Sequence, residues 1–239
     1  MSKPFRFKAF IVQQDQTAMK VGTDGVLLGA WTGIAHEPDS ILDIGTGTGL
    51  IALMLAQRSS AGLIDAVEIE QDAFEQAVQN FENSPWPDRL YCYHASFIDF
   101  VEEMKDEMKY DLILSNPPFF QEGQTSGDLR RDIARYRASM NFPELLSGSS
   151  RLLAEYGRIS LILPFSLEQE VLELALEQSL FPQRITRVKG TPDSPVKRVL
   201  LELGRRRNAP LVDQLILETS RHQYTEECRH LLKDFYLNF

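Results

Sequence analysis

Ile41-Leu42-Asp43-Ile44-Gly45-Thr46-Gly47-Thr48-Gly49-Leu50 is a short apolar run that opens into a turn with glycine at every second position. Ile51-Ala52-Leu53-Met54-Leu55-Ala56-Gln57-Arg58 follows and reads as a helix. Strand, glycine turn and helix in that order bring backbone close to a ligand and aim unpaired helix N–H groups at it. A dinucleotide fingerprint would need a third glycine where Leu50 stands, so that fingerprint is not met.

Reading outward, Leu63-Ile64-Asp65-Ala66-Val67-Glu68-Ile69 is a second strand. Glu68 lies near its carboxyl end, roughly twenty residues past the turn, placed to accept hydrogen bonds from ribose hydroxyls. Phe74, Ala77, Val78 and Phe81 share one helical face and read as core. Leu90 to Tyr93 is a third strand ending near Ser96 and Phe97, and Tyr110 to Ser115 a fourth. This alternation predicts a parallel sheet with right-handed crossovers. The ligand then sits at the carboxyl ends of the strands, where Gly45, Glu68, Ser96 and Asn116 fall.

The fourth strand runs into Asn116-Pro117-Pro118-Phe119. Two prolines can continue neither a helix nor a central strand, so the chain turns. Their carbonyls stay free to accept, Asn116 adds a side-chain carbonyl, and Phe119 adds a flat apolar face. Two acceptors and a ring suit an exocyclic amino group on a planar base.

Residues 5–12 begin in alternation and predict a strand, and Thr23 or Asp24 can cap the helix that follows. Residues 120–138 are polar, then arginine-rich, and read as a lid after the turn. A helix is expected over 142–156, a fifth strand over 158–164 and an amphipathic helix over 167–180. Two strands about Thr191-Pro192-Asp193-Ser194-Pro195 predict a hairpin at the far edge of the sheet.

The 239 residues are 43% apolar, enough for one domain with a sizeable core. No run is long enough to span a membrane, and the start is no signal peptide. Cys92 and Cys228 and the four scattered histidines lack metal-site spacing. The net charge of −9 argues mildly against nucleic acid, but the charge is segregated. Acids crowd residues 99–107 and 168–173, read as solvated helix faces. Arginine and lysine gather at Arg130, Arg131, Arg135 and Arg137, and again between Arg184 and Arg207. A segregated field binds polyanions despite an acidic total.

The glycine turn resembles the S-adenosylmethionine loop of class I methyltransferases, and Asn-Pro-Pro-Phe resembles the motif of those acting on amino or amide nitrogens. With the N-terminal run and Tyr224-Thr225-Glu226…Asp234-Phe235-Tyr236-Leu237, essentially the whole chain resembles the bacterial tRNA adenine-N6 methyltransferases that modify valine tRNA beside the anticodon. The resemblance implies an α/β, Rossmann-like fold: a seven-stranded, mostly parallel sheet, last strand antiparallel, helices on both faces. It implies a single domain, residues 1–239. Residues 1–38 then pack over the cofactor site, and 208–239 form a C-terminal strand and helix.

It further implies S-adenosyl-L-methionine as cofactor, tRNA as substrate, no metal, no membrane, a monomer and a cytoplasmic location. Asn116, Pro117 and Phe119 are its catalytic set. Asp43, Gly45, Thr46, Gly47, Glu68, Ile69, Ser96, Phe97 and Asn116 line the cofactor, with Gly45 and Gly47 at the methionine portion and Ser96 and Phe97 beside the adenine. Lys20 stands near the cofactor carboxylate or on the open surface. Phe119, Arg130, Arg131 and Arg135 face RNA. Two other readings stay open: a protein glutamine N5-methyltransferase, and a cofactor- or RNA-binding module without turnover.

Overall fold

The computed structural model describes residues 3–17, 19–118 and 141–239. Phe119, the expected lid and Arg130, Arg131, Arg135 and Arg137 lie outside the described residues. Two short strands come first, β1 (Phe5–Arg6) and β2 (Ile11–Val12), paired antiparallel. The single strand expected over 5–12 is therefore a hairpin. Its cause is aromatic: Phe7 and Phe10 are both buried with ring centroids 4.7 Å apart, so the chain doubles back between them.

Helix α1 (Thr23–Trp31) follows. Its N-cap is Gly22, and neither Thr23 nor Asp24 caps it. Then come β3 (Ser40–Ile44), α2 (Leu50–Arg58), β4 (Leu63–Glu68), α3 (Gln71–Glu82), β5 (Leu90–His94), α4 (Phe97–Met104) and β6 (Tyr110–Ser115). Beyond residue 140 lie α5 (Phe142–Leu152), β7 (Leu153–Pro164), α6 (Glu168–Glu177), β8 (Phe181–Lys189), β9 (Val196–Gly204), β10 (Leu211–Ile216), the short strands β11 (Glu218–Ser220) and β12 (Gln223–Tyr224), and α7 (Glu226–Leu232).

The main sheet runs β10-β8-β9-β7-β6-β3-β4-β5, with β9 alone antiparallel to its neighbours. It has eight strands where seven were expected. The eighth, β10, pairs parallel with β8 from Leu211↔Arg184 to Ile216↔Lys189. The β8–β9 hairpin is therefore not the edge. An unpaired nine-residue β8 would expose a row of backbone donors and acceptors, and β10 covers it. Helix α5 stops at Leu152, four residues short of the expected Tyr156. Leu153 already pairs with Tyr110, and a Cβ at Gly157 would stand 2.9 Å from the Tyr110 carbonyl oxygen. That close approach of two backbones places Gly157 inside a strand.

Alternate residues of each central strand enter different cores. Ile41, Ile64, Ala66, Leu112 and Leu114 face one side with α1, α2, α3 and α7. Leu42, Ile44, Val67, Ile113 and Leu161 face the other with α4, α5 and α6. Strands buried on both faces read as near-continuous apolar runs, and these do so but for one aspartate in each of β3, β4 and β6. Helix α1 lies close on α2 at Gly29, where a Cβ would come within 2.8 Å of Met54 Sδ. The Arg58 guanidinium donates to the Gly29 and Thr32 carbonyls, closing the end of α1. The two ends of the chain also meet. Lys8 Nζ donates to the carbonyls of Lys233 and Phe239, and the Phe7 and Tyr236 rings stack at 5.9 Å. Cys92 and Cys228 are free thiols.

Candidate active site

The glycine turn leaves β3 in left-handed backbone: φ is +68° at Gly45, +58° at Gly47 and +79° at Gly49. Gly45 and Thr46 both donate to the Val67 carbonyl, at 2.9 and 3.2 Å, which ties the turn to the neighbouring strand end. A Cβ at Gly45 or Gly47 would meet nothing within 4 Å, so open space lies over the turn. Gly49 differs. Its Cβ would sit 2.5 Å from the Phe81 ring, so only glycine fits where α2 begins against α3.

Two buried carboxylates hold this turn. Asp43 is fully buried; its Oδ2 accepts from the Thr46 hydroxyl at 2.6 Å and from Ala52 N at 3.2 Å. Its Oδ1 is buried without a partner among the described residues. Burial, opposed by those two hydrogen bonds, pushes the Asp43 carboxyl up to about 6. Glu68 Oε2 accepts from Gly47 N at 2.8 Å, and its Oε1 accepts from Ile69 N and Glu70 N at 2.9 and 3.0 Å. Burial raises the Glu68 carboxyl above the usual range despite those three donors. Ile69, next to it, is an aliphatic side chain 41% exposed at the strand end.

Asn116 follows β6, whose Ser115 hydroxyl donates to the Ile44 carbonyl at 2.9 Å, so the Asn-Pro-Pro turn and the glycine turn leave adjacent strands side by side. The Asn116 Nδ2 end points at the start of α1, 3.8 Å from where a Gly25 Cβ would stand. Pro117 is buried and Asn116 partly so.

Other expected residues land differently. Ser96 caps α4: it accepts from Asp99 N at 3.1 Å, and its hydroxyl donates to the Asp99 carboxylate at 2.6 Å. The Phe97 ring is turned into the core, where it fills the space beside Gly148 on α5. The Ser96 hydroxyl is committed to Asp99 but stays partly exposed, whereas the Phe97 ring is buried. Lys20 is exposed just ahead of α1. Asp24 is ion-paired with Arg198 at 2.8 Å. Glu168, expected on a solvated face, is buried and paired with Arg187 at 2.6 Å.

The basic residues from 184 to 207 separate by position. Arg187, Lys189, Lys197 and Arg198 sit where β8 ends and β9 begins, at the same end of the sheet as Asn116. Arg205, Arg206 and Arg207 follow β9 and lie at the opposite end. There Arg205 donates to the Ser150 carbonyl and Arg206 lies over the Tyr156 ring.

The polar side chains of α3 were not foreseen. Gln76 and Asn80 are buried on its inner face. Gln76 Oε1 accepts from Asp15 N and Gln16 N, each at 3.1 Å. Asn80 exchanges hydrogen bonds with the Gln13 backbone and donates to the Thr48 carbonyl at 2.8 Å. They pin the N-terminal segment beside the glycine turn. The signal was present in the sequence: two amides four apart, interleaved with the apolar positions of an otherwise core-facing helix.

The residues present suit a nucleoside sulfonium: a turn with open space above it, acid at two strand ends, an exposed aliphatic beside one acid, and an orphaned buried carboxylate oxygen. Among the described residues no helix is long and apolar enough to cross a membrane, and no group of three or more His, Cys, Asp or Glu could hold a metal.

Comparison with known proteins agrees. Residues 30–171 match the family model described as methyltransferase small domain. A tRNA1(Val) (adenine(37)-N6)-methyltransferase of Christiangramia forsetii is 59% identical over 99% of this chain and 98% of its own length. The protein of that name from Bacteroides fragilis strain YCH46 is 42% identical over 99% of this chain. Among solved structures, a predicted O-methyltransferase from Agrobacterium tumefaciens superposes with a TM-score of 0.69 at 21% identity, over 89% of this chain and 96% of that one. P. horikoshii TYW2 in complex with MeSAdo gives 0.57 at 15%, over 85% and 71%. The low identities of the two structures carry the fold alone. The full-length relatives carry more, and by them the chain belongs to the tRNA1(Val) (adenine(37)-N6)-methyltransferase family.

Proposed function

We propose that the protein transfers a methyl group from S-adenosyl-L-methionine to N6 of the adenosine at position 37 of valine tRNA, acting in the cytoplasm. One observation carries the reading: Asn116-Pro117 leaves β6 beside the glycine turn of β3, so a nitrogen-binding turn and a nucleoside turn share one edge. The relatives' names supply the nucleotide and the tRNA.

S-adenosylmethionine, when bound, supplies a methyl group made electrophilic by its sulfonium. The chain does the rest by position. Gly45, Thr46 and Gly47 admit the methionine portion over the open turn, with Asp43 beneath them setting the turn and, through its orphaned Oδ1, holding the amino group by way of water. Glu68 accepts from the ribose hydroxyls. Ile69 covers one face of the adenine, while Ser96 and the backbone of Phe97 bound its edge, since the Phe97 ring is committed to the core.

Adenine N6 is a poor nucleophile because its lone pair is delocalised into the ring. The Asn116 side-chain carbonyl and the Pro117 backbone carbonyl accept its two N–H bonds and favour a pyramidal nitrogen. The lone pair then faces the methyl group. The methylated nitrogen is strongly acidic, so no strong base is needed, and positioning with fixed dipoles supplies the acceleration. Phe119 stacks on the splayed base, and Arg130, Arg131 and Arg135 meet RNA phosphates.

Transfer of labelled methyl to total tRNA, total DNA and release-factor protein tests this reading. Label confined to tRNA and recovered as N6-methyladenosine from valine tRNA supports it. Label on release factor, or on none of the three, refutes it.

A further inference from the structure

At the end of β7, the strand next to the one that leads into the Asn-Pro-Pro turn, stands an aromatic side chain that belongs to neither apolar core. Phe165 follows Pro164 at the end of β7, in a single 3-10 turn (Phe165–Leu167) that buries none of its residues, and it is 39% exposed. The Arg187 guanidinium lies over its ring, with Cζ 5.7 Å from the centroid. Two hydrogen bonds to Glu168 fix that guanidinium, Nη2 to Oε1 at 2.6 Å and Nε to Oε2 at 3.0 Å. The Glu168 side chain is only 11% exposed, so the fork is anchored from below while Arg187 stays 40% exposed.

The strand register places this pair. Ser115 pairs with Leu161, Leu163 with Val199, and Val199 with Arg187. Arg187 therefore sits two residues beyond the level of Ser115, at the level of Pro117. With strands about 4.8 Å apart, it lies on the order of 15 Å from the turn, and Phe165 is nearer, next to β7. A base splayed into the turn has its neighbours within that reach.

We infer that Phe165 and Arg187 form a second stacking surface, which takes an unpaired base next to the target adenosine in the RNA loop. This rests on the reading of the chain as an RNA adenosine methyltransferase. Its chemistry is specific. Unpaired bases are recognised by stacking on aromatic rings and guanidinium planes. The bidentate pair with Glu168 neutralises Arg187, so what it offers is a plane rather than a charge. Exposed Lys197 on the adjoining strand β9 is placed for a neighbouring phosphate.

The test uses an anticodon stem-loop RNA and its variants lacking one base at each position flanking the target. With the intact RNA, Phe165→Ala raises KM by about 5- to 150-fold, the range of one lost base stack, while kcat falls far less. Phe165→Tyr keeps the stack and restores the wild-type KM. The affinity for S-adenosylmethionine and the melting temperature stay as in wild type. On the one RNA that lacks the stacked base, wild type and Phe165→Ala have the same KM. An unchanged KM in Phe165→Ala, or a penalty equal on every abasic RNA, overturns the stacking surface and leaves the methyltransferase reading standing. A wild-type enzyme that methylates no tRNA overturns both.

Discussion

Asp43→Asn separates what the buried carboxylate costs the fold from what it does for the site. The carboxyl is pushed from its ordinary 3.8 to about 6 by burial. One pH unit is 1.36 kcal/mol, so keeping Asp43 ionised in the folded state costs about 3 kcal/mol. The sign follows from proton binding. A carboxyl that holds its proton more tightly when folded gives its full stabilisation below about pH 4, and this is lost as pH rises to about 6, after which the difference is constant. Asparagine has the shape of the protonated acid, still accepts from Thr46 or Ala52, and does not titrate. The stability of Asp43→Asn relative to wild type should therefore climb by about 3 kcal/mol between about pH 4 and pH 6 and stay level above. Asp65 and Glu202 are common to both proteins and drop out of the difference, while Glu68, whose charge is the smallest of the causes acting on Asp43, is relieved of a like charge in the variant and adds to the same climb. Urea unfolding of the two proteins across this range measures it. The gain in stability should come with a loss of S-adenosylmethionine affinity of about tenfold or more, because the orphaned Oδ1 no longer accepts. A stability difference that is the same at about pH 4 and pH 7 would refute the burial argument. An unchanged cofactor affinity would remove Asp43 from the site.

The remaining expectations follow from the same geometry. Glu68→Ala removes a charged acceptor from the ribose and leaves Gly47 N unpaired, and calorimetry should show S-adenosylmethionine binding weakened by about 1.5–3 kcal/mol; equal affinities would mean the ribose lies elsewhere. In Asn116→Ala, turnover should drop by about 10²–10³ while cofactor affinity moves by less than about 1 kcal/mol, so near-normal turnover would sink the nitrogen-binding role. Gly49→Ala combines a left-handed backbone with a collision against the Phe81 ring. It should lower unfolding stability by about 2–5 kcal/mol, and a loss below 1 kcal/mol would show that α3 yields easily. Replacing Arg130, Arg131 and Arg135 by Ala should flatten the salt dependence of tRNA binding and raise KM, whereas the same change at Arg205, Arg206 and Arg207, at the far end of the sheet, should leave both alone. Equal effects from the two triples would contradict a one-ended RNA surface.

The site's strand ends were readable because their signals are local. Gly45, Gly47 and Gly49 form the close turn at a strand end that the glycine spacing suggested, in left-handed backbone, and the double-faced burial of β3, β4 and β6 follows from apolar runs that a single aspartate in each (Asp43, Asp65, Asp111) does not break into alternation. What escaped depends on partners far away in sequence. A C-terminal strand was implied within residues 208–239 but its place in the sheet was not: Leu211–Ile216 shows no alternation that would mark an edge strand, and the open side of β8 recruits it. Leu153–Tyr156 looks like the end of a helix until Tyr110 claims it for the sheet. Phe97 was read as lining the cofactor because it follows a strand end, yet the room beside Gly148 drew its ring into the core. Gln76 and Asn80 look like ordinary helix polarity; their value appears only against the backbone of Gln13, Asp15 and Gln16, sixty or more residues earlier in the chain.

The meeting of the two chain ends has a consequence for synthesis. Residues 5–10 leave the ribosome more than two hundred residues ahead of their partners at Lys233, Phe235, Tyr236 and Phe239. At roughly 5–20 residues per second, that wait is on the order of ten to fifty seconds. Through it Phe5, Phe7 and Phe10 have no finished surface to settle on, and three nearby aromatic rings are a ready target for holding chaperones. The β1–β2 hairpin thus waits for α7 and the residues after it, and the nascent protein stays unsealed until they have docked.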